Sequence, residues 1–198
     1  MPDDWPARPL RWPPQPLTDG VVVLDRMTRR DLPTLVGAID DHILRWLPLP
    51  SPYTHVDAIA FLEWQQEMAD RGVTLNFAVR TEAGGPLVGS AGLHFRNGPR
   101  VAEVGYWITA PARGRGLAAR AMRLLAGLAF DHYDARRLEA LILPDNTASR
   151  RAAERAGAVY EGVRRHGLEA RGEPFDAAVY SLLPSDLRTP MKTDAGYL

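Results

Sequence analysis

The chain has 198 residues, enough for one sizeable α/β domain with a buried core. Hydrophobic residues make up 45% and charged residues 24%, and 24 basic side chains balance 24 acidic ones for a formal net charge of +0. That balance argues against a dedicated nucleic-acid or membrane-surface binder, which carries a basic excess. The absence of cysteine excludes thiol catalysis, disulfides and thiolate metal sites.

The first segment, "MPDDWPARPLRWPPQPLTDG", is rich in proline, which blocks helix and central strand alike. It lacks the apolar core of a secretory signal, and no run in the chain approaches a membrane span, so a cytoplasmic protein is expected. Residues 1–19 read as an extended arm anchored by Trp5 and Trp12. Such an arm packs on its own domain or on a second copy in a homodimer. Residues 20–188 read as one domain and 189–198 as a C-terminal tail.

From Gly20, "GVVVLDRMT" is a β-branched run and reads as a strand. "RDLPTLVGAIDDHILRWL" reads as one or two helices, with Asp31 capping the first and Pro33 in its opening turn. "HVDAIAFLEWQQEMADRG" is a further helix stopped at Gly72. "TLNFAVR", "LVGSAGLHF" and "VAEVGYWIT" follow as an antiparallel meander, joined by the turn-rich connectors "TEAGGP" and "RNGPR". A helix then runs to about Tyr133, followed by the strand "RRLEALIL" and a short helix within "PDNTASRRAAERAG". "AVYEGVRRHGLEA" and "PFDAAVYSLLP" form a final hairpin around "RGEP". The order predicts a single α/β (α+β) domain: a mixed, mostly antiparallel sheet of about seven strands with helices on both faces. The one crossover of parallel character lies around Arg113.

That crossover contains "APARGRGLAARAMRLLAGLAF", Ala110 to Phe130. Leu117, Ala121, Leu124, Leu125 and Leu128 recur at helical spacing and must face the core. The helix therefore begins near Gly116, where its first amides have no intrahelical partner. Gly114 and Gly116 clear the approach to those donors, the helix dipole adds positive character, and Arg113 and Arg115 add charge nearby. The junction reads as an anion site, most simply for phosphate. It is not a P-loop, because no lysine follows either glycine. "GRGLAA" matches the dinucleotide fingerprint, but Asp134 falls at the helix end where a second strand should supply an acid.

A third pattern, [QR]-x-x-G-x-[GA], matches "RGRGLA" from Arg113 to Ala118, after the strand "VGYWIT" and before a long helix. Here the sequence resembles the GCN5-related N-acetyltransferase (GNAT) superfamily. The order of elements from Gly20 to Pro184 is similar to that family, and "EVGYWI", "RGRGLAARA", "DNTASRRAAERAGAVYEG" and "AVYSLLPSDL" resemble its RimJ/RimL branch of ribosomal-protein N-terminal acetyltransferases. The resemblance implies that amides of Arg113, Gly114, Arg115, Gly116, Leu117 and Ala118 hold the pyrophosphate of acetyl-coenzyme A. It implies that the strands Ala102–Thr109 and Arg137–Leu143 splay around the pantetheine arm, with backbone near Ile108 positioning it. It further implies that Asn146 contacts the arm and that Ser149 protonates or hydrogen-bonds the leaving thiolate.

Each assignment has a local alternative. Asn146 is equally a turn residue or helix cap, and Ser149 equally a cap. Strand alternation puts Glu103, Gly105 and Trp107 on one face and Val104, Tyr106 and Ile108 on the other. Glu103 would take the amine's proton through water, or pair with an arginine. His94, Tyr106 and Trp107 would line the acceptor pocket, or simply pack. Trp46 and Tyr53, in "HILRWLPLPSPYTH", would line a pocket for either kind of acceptor. "RRHG" at Arg164–Gly167 reads as a solvated turn, and the five histidines show no metal-ligand spacing. The expected reaction is direct attack of an amine on acetyl-coenzyme A, without a metal, on a protein or peptide α-amine. A small amine such as an antibiotic or polyamine, a longer acyl donor such as succinyl-coenzyme A, and a non-catalytic coenzyme-A-binding module remain the alternatives.

Overall fold

The computed structural model describes residues 5–6, 9–95 and 100–188. The tail 189–198 and most of the connector "RNGPR" lie outside them. Among the described residues, eight strands form one sheet: β1 (Leu17–Thr18), β2 (Val23–Asp25), β3 (Thr74–Arg80), β4 (Gly89–Phe95), β5 (Val101–Ile108), β6 (Arg137–Ile142), β7 (Val159–Ala170) and β8 (Glu173–Leu182). Five α-helices accompany them: α1 (Leu32–Ala38), α2 (Asp41–Trp46), α3 (His55–Asp70), α4 (Leu117–Gly127) and α5 (Thr147–Ala156). The strand order is β1-β2-β3-β4-β5-β6-β8-β7. Every neighbouring pair is antiparallel except β5–β6, which is parallel and joined through α4.

The sheet has one strand more than the sequence suggests because the proline-rich segment contributes β1, two residues long and at the edge. The edge tolerates the prolines that precede it. The same segment packs on its own domain. Leu10 is fully buried and its amide donates to the Ala69 carbonyl at 2.9 Å. The Trp5 and Trp12 indoles donate to the carbonyls of Tyr133 and Asn76.

Apolar side chains of β3–β6 and β8 meet α4 and α5 in the larger core, which includes Phe77, Leu93, Leu117, Met122, Leu125, Leu138 and Tyr180. A smaller cluster on the opposite face joins Ala78 to Leu32 and Leu35 of α1 and Ala58 of α3. Asp31 does not cap α1 with its side chain. Its carboxylate instead accepts from Arg80 Nη1 and Nη2 at 2.8 and 3.0 Å and from the Thr28 amide at 2.9 Å. Arg80 is fully buried, and also donates to Asp25 at 2.8 Å and to the Gly85 carbonyl at 2.9 Å. A buried guanidinium must be matched this fully, and that need outweighs a local cap.

The "RRHG" stretch is no turn. It lies inside β7, where the register with β8 shifts between Arg164 and Leu168. Helix α4 ends in a turn of π-helix, Leu128–His132, before Tyr133.

Strands β5 and β6 pair at Val101–Arg137, Ala102–Leu138 and Glu103–Glu139 and then part. Beyond that point β5 stays paired with β4 as far as Ile108, and β6 with β8 as far as Ile142. The sheet therefore opens in its middle, with Glu103 at the apex of the opening.

Candidate active site

A cleft of about 640 Å³ occupies this opening. Its walls are the diverging halves of β5 and β6, the start of α4, the first turns of α5, helix α2, and Leu168 to Ala170 of β7.

At one end lies the junction read as an anion site. Gly114 and Gly116 have φ of +75° and +74°, a left-handed conformation open to glycine and strained for other residues. Gly116 is the N-cap of α4 and supplies no side-chain cap. The first helix hydrogen bond recorded there runs from the Arg120 amide to the Gly116 carbonyl. The amides of Leu117, Ala118 and Ala119 therefore lie ahead of the helix's own ladder. All three residues line the cleft, as do Gly114 and Gly116.

The arginines are arranged otherwise than the sequence suggests. Arg115 is exposed and is not part of the lining. Arg113 lines the cleft, but its Nε donates to the Ile108 carbonyl at 2.9 Å and its Nη2 to Asp40 Oδ1 at 2.8 Å. The Ile108 carbonyl is thus already engaged on one side. Positive charge along this end of the cleft also comes from Arg151 and Arg155 of α5. Arg155 Nη1 lies 3.4 Å from where a Gly116 Cβ would sit. Sequence reading missed both, although their i, i+4 spacing from Arg151 puts them on one helix face.

In the middle of the cleft are Asn146, Ser149 and Tyr106. Asn146 caps α5, its Oδ1 accepting from the Ser149 amide at 3.1 Å. The cap uses the oxygen and not the amide N–H₂, and Asn146 lines the cleft. Ser149 is the residue being capped, not a cap, and its Oγ lies 2.8 Å from the Tyr106 hydroxyl. The Ser149 carbonyl lies 3.1 Å from the same phenol and accepts from it when the Ser149 hydroxyl donates to the phenol oxygen. Burial pushes the Tyr106 phenol up to about 12, against a smaller opposing effect from Ser149, so it stays protonated at neutral pH. Tyr106 thus belongs with α5 rather than with Trp107.

At the apex are Glu103 and His94, while Trp107 lies four residues along β5, next to Ile108. His94 of β4 stands opposite Glu103 in the antiparallel register, and its Nδ1 lies 3.0 Å from Thr74 Oγ1. Trp107 packs against the Met27–Leu35 cluster on the α1/α3 face, as alternation requires. Helix α2 adds His42 and Trp46, whose rings meet edge to face at 6.3 Å. Tyr53, by contrast, packs in the α1/α3 cluster away from the lining. Next to Glu103, Glu139 accepts from Arg137 at 2.9 Å and Arg164 at 3.3 Å. Arg137 also holds Glu161, whose carboxyl it pushes down to about 2 with help from the Ser181 hydroxyl.

Among the described residues, no group of three or more His, Asp or Glu side chains could hold a metal, and no helix is long and apolar enough to cross a membrane.

Known proteins share this fold. Residues 22–159 match the family model for an acetyltransferase (GNAT) domain. The Bacillus subtilis protein YdaF, named for ribosomal N-acetyltransferase activity, is 35% identical over 127 residues, covering 61% of this chain and 65% of that one. A Vibrio cholerae structure described as a ribosomal-protein-serine acetyltransferase superposes with a TM-score of 0.78 at 24% identity, over 87% of this chain and 99% of the other. Mycobacterium smegmatis RimJ in complex with CoA-disulfide does so with a TM-score of 0.76 at 24% identity, over 88% and 87%. With the family model spanning most of its length, and the sheet opening between β5 and β6 ahead of an uncapped α4, the chain belongs to the GNAT acetyltransferase family.

Proposed function

We propose that the protein transfers an acetyl group from acetyl-coenzyme A to the α-amine of a protein or peptide. The observation that carries the reading is the continuity of the cleft, which joins the uncapped N-terminus of α4 to Glu103 at the apex of the splayed strands. The fit is chemical. A helix N-terminus without a cap, entered through two left-handed glycines and flanked by Arg151 and Arg155, suits a pyrophosphate. The thioester of the donor supplies an activated acyl carbon and a thiolate leaving group.

The chain's own residues do the rest. Amides at Gly114–Ala118 anchor the donor, and the Asn146 amide N–H₂ orients its arm. Tyr106, hydrogen-bonded to Ser149, orients the Ser149 hydroxyl, which hydrogen-bonds the departing thiolate while the thiolate takes its proton from solvent. Glu103, with His94 opposite, removes the proton from the attacking amine through water. The narrow splay orients donor and acceptor toward each other. The similarity to YdaF, RimJ and the Vibrio cholerae protein supports a protein acceptor.

The test is thiol release from acetyl-coenzyme A with peptides bearing free α-amines, with spermidine and with an aminoglycoside. Release with the peptides is expected. Release only with the small amines would replace the acceptor, release only from succinyl-coenzyme A would replace the donor, and tight binding of coenzyme A without release would make the protein a binding module.

A further inference from the structure

The loop leading to α4 and helix α2, two walls of the cleft, are joined by one side chain. Arg113 opens the loop that leads to α4. Its Nε holds the last carbonyl of β5, at Ile108, and its Nη2 holds Asp40 Oδ1 at 2.8 Å. Asp40 in turn is the N-cap of α2, its Oδ1 accepting from the Ile43 amide at 2.9 Å. A single carboxylate oxygen therefore receives both the guanidinium and the first turn of the helix. The Arg113 hydrogen bond, outweighing slight burial, holds the Asp40 carboxyl below the usual range and keeps it charged.

Helix α2 is short, at six residues, and its only fully buried side chain is Ile43. It has little core to hold it in place. What it carries is the cleft wall: His42, Ile43 and Trp46 all line the cavity. Its other ties are weaker or at the surface. Arg45 and Asp145 meet at 3.4 Å with both side chains about two-thirds exposed, at 65% and 67%. Arg171 donates to the Leu44 carbonyl at 2.6 Å from the exposed β7–β8 turn. Arg113 and Asp40 are the less exposed pair, at 29% and 35%. The Trp46 indole N–H is buried without an acceptor among the described residues, at a cost to the helix's own placement.

We infer that Asp40 is a positioning residue for acceptor binding: through Arg113 it registers the His42–Trp46 wall of α2 against the donor loop. This rests on the proposed acetyltransferase reading of the cleft.

Asp40→Ser tests it, because serine caps a helix as well as aspartate does but is too short to reach Arg113 as well. With tetra-alanine as the acceptor, the acceptor KM is expected to rise about tenfold, while kcat and the dissociation constant of coenzyme A each stay within about threefold. Asp40→Asn keeps the cap and an oxygen for Arg113, and should return KM most of the way to the original value. Independently of turnover, hydrogen exchange of the amides at 43–47 should quicken in Asp40→Ser and not in Asp40→Asn. An unchanged acceptor KM with unchanged exchange would overturn the inference. So would a coenzyme A dissociation constant rising in step with KM, which would place Asp40 on the donor side. Failure of the unaltered protein to bind coenzyme A would count against the acetyltransferase reading instead, and the exchange comparison would still decide the role of Asp40.

Discussion

The Tyr106 hydroxyl lies 2.8 Å from Ser149 Oγ, and the Asn146 side chain holds the Ser149 amide at 3.1 Å. Ser149 is thus fixed from two sides, by β5 across the cleft and by the cap of its own helix. A serine that merely capped α5 would point its Oγ at backbone amides. This one points it at a phenol that stays protonated.

Ser149→Ala should therefore lower kcat by about a hundredfold while leaving coenzyme A binding intact. Tyr106→Phe removes the hydroxyl that orients Ser149 and should lower kcat by about tenfold. Steady-state kinetics alongside calorimetric binding of coenzyme A check both. A parallel loss of binding in either variant would mean the pair serves structure alone.

Glu103→Gln should lower kcat/KM for the acceptor by about a hundredfold without changing coenzyme A affinity, since the amide cannot accept a proton. Rates unchanged at every pH would remove Glu103 from the chemistry and leave the α-amine to lose its proton directly to solvent.

Alkaline titration should show late phenols, with burial raising Tyr133 and Tyr180 and raising Tyr106 and Tyr53 furthest. Burial raises Tyr106 and Tyr53 from 10.0 to about 12, with Asp57 adding to the effect at Tyr53. Groups whose folded value exceeds the unfolded one stabilise in full below pH 10 and lose that contribution as pH rises toward 12. Melting temperature should accordingly fall across that window, and phenolate absorbance of these two residues should appear only there. Tyr106→Phe should flatten part of the fall.

Arg80→Met should be the most damaging single change to stability outside the cleft. It leaves Asp31, only 4% exposed, without the guanidinium that Nη1 and Nη2 bring to it. Burial opposes the charge on Asp31, and the Arg80 hydrogen bonds more than offset it, so the carboxyl sits below its usual range. Breaking such a pair from one side costs about 3–5 kcal/mol, measurable by urea unfolding. A loss below about 1 kcal/mol would mean water reaches Asp31 in the variant.

Local patterns carried much of this structure. The extent of β3 follows "TLNFAVR" residue for residue, Gly72 and Gly157 end their helices, and the parallel crossover is where the glycine-rich loop puts it. Alternation separated Tyr106 from Trp107 correctly. What local pattern could not carry is pairing over distance. Asp40 and Arg113 are 73 positions apart, and Tyr106 and Ser149 are 43 apart. Arg113 looked like a phosphate ligand because its neighbours are glycines, whereas its guanidinium is claimed by a helix cap far upstream. Asp31 looked like a cap because it precedes a helix, whereas a buried arginine on β3 claims it. In each case a long-range charge overrode a short-range habit.

The most direct test of the central claim is calorimetric titration of coenzyme A into the protein and into Gly116→Ala. Alanine at a φ of +74° is strained, and its Cβ would stand in contact with the Arg155 guanidinium at the mouth of α4. One molecule of coenzyme A should bind per chain, and the variant should bind at least about tenfold more weakly. No binding to the unaltered protein, or equal binding to both, would contradict a donor site at the start of α4.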